Sequence, residues 1–237
     1  MLGHPHKHHH SEHHKDVTGG ALRAGVFGAM DGLVSNFALI AGVVGAGAAG
    51  KTVVLTGLAG LAAGAFSMAA GEYISVKTQT EATEAEIARE RREVLSNPEA
   101  ETRELASIYA GYGVTPDLAL QVAGQITRHP EHSWRVHARE ELGVDPDDLP
   151  SPYVAAGTSF VAFAFGALVP LLPFLLGVGG LIAATSAACL ALFASGAVVA
   201  RLTTRSPFLG GLRQLALGAA AAAATFGLGH LVGTGLA

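Results

Sequence analysis

Residues 23–49 read RAGVFGAMDGLVSNFALIAGVVGAGAA, and residues 53–76 read VVLTGLAGLAAGAFSMAAGEYISV. Each run exceeds the roughly 20 mostly apolar residues that a helix needs to cross a bilayer. Glycine and alanine supply much of both. A water-soluble core draws mainly on Leu, Ile, Val and Phe, whereas small residues let membrane helices approach closely. These two segments set the fold class, an all-α membrane protein. Their few charged side chains, Asp31 and Glu72 within the runs and Arg23 at one end, become the first candidates for function.

Outward from this pair, three more runs are long and apolar enough to span: 152–176, 179–200 and 208–235. The third and fourth spans are separated only by Gly177-Val178-Gly179-Gly180, which predicts a tight helical hairpin. Pro170 and Pro173 are expected to kink the third span near its far end. Half of the 237 residues are hydrophobic and 14% are charged, against about 25% in soluble domains. The net charge of −4 conceals a strong partition, because fifteen of the nineteen acidic residues fall between Lys77 and Pro150.

The expected organisation is a His-rich tail over 1–20, transmembrane helices 1 and 2 over 21–76, an acidic helical domain over 77–150, and transmembrane helices 3 to 5 over 151–237. The run SVKTQTEATEAEIARERREVLSN (75–97) carries no Pro or Gly. The second helix should therefore continue out of the membrane for about 30 Å. Pro98, Gly113, Pro116, Pro130 and Gly143 then mark two or three shorter helices. Eight of the Lys and Arg residues lie in 77–150, with Arg23, Arg201 and Arg205 on the same side and Lys51 opposite. Positive residues favour the cytosol, so the N-terminus and the acidic domain are expected inside.

No cleavable signal peptide is evident, since the first apolar run is long enough to span. The lone Cys189 rules out a disulfide within the chain and a cysteine zinc site, and reads as a packing residue. The tail holds seven His at irregular spacing, unlike a purification tag. It reads as a solvated tail or a weak metal-collecting arm.

A carboxylate within a span costs at least about 2.5–3.5 kcal/mol and by default marks an ion or proton path. The bland reading of Asp31 is a structural hydrogen bond to a neighbouring helix. Asp31 lies eight residues from Arg23, and Met68 eight residues from Val76 on the returning helix. Both are then about 12 Å from the cytosolic interface. A carboxylate oxygen and a thioether at one depth suit a transition metal better than Mg²⁺ or Ca²⁺, although Met68 alone reads equally well as packing. Glu72 falls one turn from Met68, nearer the cytosol, as a relay or an interfacial residue.

In the acidic domain Glu86, Glu90 and Glu93 share one helix face, and Glu101 and Glu104 repeat the spacing on the next helix. Arg89, Arg91 and Arg92 offset part of their repulsion, so a solvated, ion-paired helix is the plain alternative. The sharper reading is an oxygen cage for divalent cations, closed by His137, Glu140 and Glu141. The small-residue ladders Gly28-Gly32 and Ala38-Gly42-Ala46-Gly50 predict close packing of helix 1, within the chain or against a second copy.

At these residues the chain resembles the vacuolar iron transporter family, from Arg23 onward. Asp31-Gly32-Leu33-Val34-Ser35-Asn36-Phe37-Ala38-Leu39 and Gly64-Ala65-Phe66-Ser67-Met68-Ala69-Ala70-Gly71-Glu72-Tyr73 are similar to its first- and second-helix signatures. The resemblance implies five spans with a metal-binding domain between the second and third, a homodimer, and proton-coupled export of Fe²⁺, often also Mn²⁺. It assigns Asp31 and Met68 to the path, and Glu90, Glu93, Glu101, Glu104 and Glu141 to the cytosolic metal site. Plant members carry a Met pair where this chain has His137 and Ala138, which bears on metal preference.

Protons, divalent metal ions, the lipid bilayer and a second copy are thus the expected partners, with neither nucleic acid nor an organic cofactor. No nucleophile–base constellation suggests an enzyme. Composition points to a bacterial member in the plasma membrane. A membrane-anchored metal-binding or sensing protein without transport is the other class of function that these residues fit.

Overall fold

The computed structural model describes residues 20–48, 50–178 and 180–235. The His-rich tail read from the sequence lies outside these residues. They form eight helices: α1 Gly20–Gly45, α2 Gly50–Ser96, α3 Pro98–Gly111, α4 Pro116–Thr127, α5 Pro130–Glu141, α6 Pro152–Leu175, α7 Gly180–Leu202 and α8 Pro207–Gly235. Five of them begin with proline, whose fixed φ and missing N–H suit the first helical position. No strand occurs among the described residues.

Helices α1, α2, α6, α7 and α8 are long and apolar enough to cross a membrane, and the protein is an all-α multi-pass membrane protein. The first is the hub, packing against α6, α8, α2 and α7. Its contact with α6 depends on reciprocal glycines. A Cβ at Gly32 would strike the Phe163 carbonyl, and one at Gly166 would strike the carbonyl of Ala29. Two side chains bond across these backbones. Asn36 Nδ2 donates to the Ala167 carbonyl at 2.6 Å, and Thr225 Oγ1 donates to the Ala38 carbonyl at 2.6 Å. With no aqueous hydrophobic drive, such bonds and close packing hold membrane helices together. The ladder of helix 1 is therefore used within the chain as far as Ala46, whose backbone lies against Gly229 and Gly233 of α8. Beyond it, Gly47 turns at φ +79° and Gly50 starts α2, so Ala46 and Gly50 are not part of one helical face.

The second helix runs 47 residues without a break. Its first half spans and its second half is the spine of the acidic domain. Tyr73 on α2 and Tyr153 on α6 stack edge to face at 5.3 Å where the two helices pass between membrane and domain, as expected of aromatic residues at an interface. Two turns further along α2, Thr80 Oγ1 donates to the Pro150 carbonyl. The domain has a small core of Leu105, Ala106, Ala119 and Ala123 between α3 and α4. The fifth helix is clamped to α2 through Trp134, whose ring lies 5.6 Å from the Arg91 guanidinium and 4.5 Å from that of Arg135.

Candidate metal sites in the membrane and the acidic domain

The membrane site lies where α1, α2 and α6 diverge. A cavity of about 360 Å³ is lined by Asp31, Ser35, Asn36, Leu39, Gly60, Gly64, Ser67, Met68 and Phe163. The sequence placed Asp31 and Met68 at one depth on separate helices, and the fold brings both to this cavity. Asp31 is exposed on its open face, while Met68 is half-buried against Ala65, Phe163 and Ala167. Glycines at 60 and 64 leave the space. A Cβ at Gly64 would occupy the position of the Phe163 ring.

Asn36 also lines the cavity and is not among the residues singled out from sequence. It is 2% exposed, its amide nitrogen is committed to Ala167, and its Oδ1 has no hydrogen-bond partner among the described residues. An orphaned buried carbonyl costs about 1–3 kcal/mol, which makes it an available ligand. The signal in the sequence was the same as for Asp31: an unpaired polar side chain inside an apolar helix.

Glu72 is not among the cavity-lining residues. One turn further along α2, its Oε2 lies 3.3 Å from Arg23 Nη2, with the Glu72 side chain 12% exposed. The pair bridges α1 and α2 at the domain-side end of the cavity.

The second site is in the acidic domain. Glu90 on α2, Glu101 on α3 and His137 and Glu141 on α5 present ligand atoms that all lie within 4.8 Å of one another. His137 is fully buried. Its Nδ1 is 2.8 Å from Glu141 Oε1, 3.3 Å from Glu90 Oε1 and 3.6 Å from Glu101 Oε2. Neighbouring ligands around an ion with bonds of about 2.1 Å are about 3 Å apart. The three His137 contacts are close to that spacing, and the set as a whole, within 4.8 Å, would tighten around an ion. His137 Nε2 and Glu90 Oε1 are buried without hydrogen-bond partners among the described residues. Three helices must meet for this cluster to form, and the Pro98 and Pro130 helix starts aim α3 and α5 at α2.

Crowding of carboxylates in a dry site shifts their protonation. Burial, then the charges of Glu104 and Glu101, raise Glu141 to about 7. Burial, then the charge of Glu141, raises Glu90, and burial, then the charge of Glu90, raises Glu101. Burial is the larger cause in each case, and the part that comes from neighbouring carboxylates is negative charge that a cation would relieve.

Glu86, Glu93 and Glu104 line the rim of the same cleft, a cavity of about 360 Å³. Arg89 shields two of them, at 3.7 Å from Glu86 and 3.2 Å from Glu93. Glu140 is turned away and accepts a hydrogen bond from the Tyr112 hydroxyl at 3.1 Å. Of the acidic candidates it is the one the fold leaves outside the cleft.

A family model described as the VIT family matches residues 22–230. The chain belongs to the VIT family. It is similar to a protein named vacuolar iron transporter 1 of Oryza sativa subsp. japonica, with 32% identity covering 97% of this chain and 92% of that one. The vacuolar iron transporter of Acanthamoeba castellanii is 38% identical, covering 93% of this chain and 82% of its own. Vacuolar iron transporter 1 of Arabidopsis thaliana is 33% identical, covering 94% and 90%. The matched residues of this VIT chain take in both the membrane cavity and the acidic cluster.

Proposed function

We propose that this chain is a proton-coupled transporter of divalent transition-metal ions, Fe²⁺ and also Mn²⁺, that exports them from the cytosol. The observation that carries the reading is the continuity of α2. One helix supplies Glu90 to the domain cluster and Met68 to the membrane cavity, and those residues are about 33 Å apart at helical rise. The names of the relatives support iron as cargo.

In this reading, Glu90, Glu101, His137 and Glu141 take the ion from the cytosol, and Glu86, Glu93 and Glu104 draw it in. Three oxygens and an imidazole nitrogen suit Fe²⁺ and Mn²⁺. Imidazole stands where plant members carry a thioether, which tilts the site away from the softest ions. The ion then passes the Arg23–Glu72 pair and reaches Asp31, Met68 and Asn36. There the carboxylate, the thioether and the free amide oxygen replace part of its hydration shell. Asp31 holds either the ion or a proton, and that exclusion couples outward metal movement to inward proton movement. The open face of the cavity is covered by a second copy in a homodimer. The N-terminus and acidic domain are cytosolic, and the plasma membrane is the site of action, whereas the relatives' names place them at the vacuole.

The test is Fe²⁺ uptake into proteoliposomes. Wild type is expected to carry the ion and Asp31→Ala to lose transport entirely, while the purified variant still binds metal at the domain. Equal transport by the two would sink the mechanism. Metal binding by wild type with no transport would make the chain a membrane-anchored binding or sensing protein.

A further inference from the structure

The last third of the chain holds a feature that metal transport does not use. Residues 151–237 carry Arg201, Arg205 and Arg213 and no acidic residue. Among the described residues none of the three is in an ion pair; Arg91, Arg92, Arg103 and Arg128 are also unpaired, but they lie in the acidic domain among carboxylates. Arg205 and Arg213 line one recess, and the segment that carries them supplies no counter-charge. We propose that Arg205 and Arg213 form a binding site for the phosphate group of an anionic phospholipid, in the leaflet that faces the acidic domain.

The geometry supports a built recess rather than scattered surface charge. A cavity of about 490 Å³ opens at the α7–α8 turn, lined by Arg205, Arg213, Thr203 and Ser206 and floored by Ala200 and Gly210. That volume is in the range of small-ligand sites. The two helices approach closely beneath it, since a Cβ at Gly210 would meet Ala200. The turn itself is fixed. Arg205 N donates to the Ala200 carbonyl at 2.8 Å and Thr204 N to the Arg201 carbonyl at 3.3 Å. These bonds fold Arg205 back under the end of α7, beside the first turns of α8 that bring Arg213.

Placement selects a lipid over a free anion. Because α6 leaves the domain side and α7 returns to it, the turn lies at the domain-side surface of the membrane. Around the recess Leu202, Phe208, Leu209 and Leu212 are exposed, a surface suited to acyl chains. Guanidinium groups bind phosphate oxygens through paired N–H donors, the Thr203 and Ser206 hydroxyls add neutral ones, and basic recesses between spans at this surface take anionic headgroups.

The probe is phosphatidylglycerol. The full chain is reconstituted in nanodiscs of phosphatidylcholine alone, and in equal parts phosphatidylcholine and phosphatidylglycerol, then stripped by detergent and weighed by native mass spectrometry. Wild type is expected to retain phosphatidylglycerol in preference to phosphatidylcholine. The Arg205→Gln, Arg213→Gln double variant should bind it roughly 30-fold more weakly, at about fivefold per arginine. A Lys pair at the same positions keeps the charge but not the paired donors; it should recover part of the retention and controls for folding. Equal retention by wild type and the Gln pair overturns the proposal. So does displacement of the lipid by millimolar inorganic phosphate, which would make the recess a site for soluble anions.

Discussion

Glu141 is a carboxyl that ionises near neutral pH. Burial, then the charges of Glu104 and Glu101, put its pKa at about 7. A carboxyl must lose its proton to ligate a metal, so binding at the cluster should release protons and weaken as pH falls below 7. Calorimetric titration with Mn²⁺ a pH unit above and below that value should show it, and Glu141→Gln should cost at least about tenfold in affinity. The stability of the metal-free protein should move the opposite way. A carboxyl with a raised pKa binds its proton more tightly in the folded chain. Its stabilising contribution is complete below the unfolded value near 4.5 and disappears as pH rises through 7. Glu141→Gln mimics the protonated form, so the variant should melt above wild type at pH 8 and level with it near pH 4; a wild-type advantage at pH 8 would contradict the electrostatic account. In the membrane, Met68→Leu keeps volume at a cost below about 1.5 kcal/mol but removes the sulfur. The account predicts folded protein whose transport of Fe²⁺ falls more than that of Mn²⁺, measured in parallel liposome assays. At this scale the sequence displayed donor types clearly. It did not display their partners, because Arg23 with Glu72 and Asn36 with Ala167 are contacts between helices distant in the chain.

Among the elements, the helix starts were the most legible, since proline opens α3, α4, α5, α6 and α8. The unbroken α2 was legible for the opposite reason, the absence of Pro and Gly over 75–97. What could not be read was which face of each helix meets which neighbour. Small residues surround α1 on several sides, and only the fold assigns Gly28 and Gly32 to α6 and Gly42 to α8. The end of α7 carries a cost that no periodicity reveals. Its last turn closes in a Schellman arrangement with Thr204 at φ +54°, where glycine is usual. A β-branched residue there costs about 1–2 kcal/mol. Thr204→Gly should raise the stability of the detergent-solubilised protein by about 1 kcal/mol, read from thermal melts. A lower melting temperature would mean that the threonine side chain contributes more than its backbone loses.

For the whole molecule, five spans and a polar middle followed from hydropathy and charge alone, because both are properties of single segments. Assembly is different. The cavity holding Asp31 and Met68 has exposed Asp31, Ser35, Leu39 and Ser67 in its lining, and a path for ions cannot face lipid. In the proposed function a second copy covers that face. Ser67 lines the cavity and is exposed, so Ser67→Cys in a Cys189→Ala background should join into dimers with a short bis-maleimide in native membranes. Monomers alone would remove the dimer from the account. In the proposed function Asp31 exchanges metal for protons, which metal-driven proton movement in proteoliposomes carrying a trapped pH dye would read. Addition of Fe²⁺ or Mn²⁺ should drive proton flux opposite to the metal in wild type and none in Asp31→Ala. Metal entry without proton movement, or equal proton flux in the variant, would contradict it.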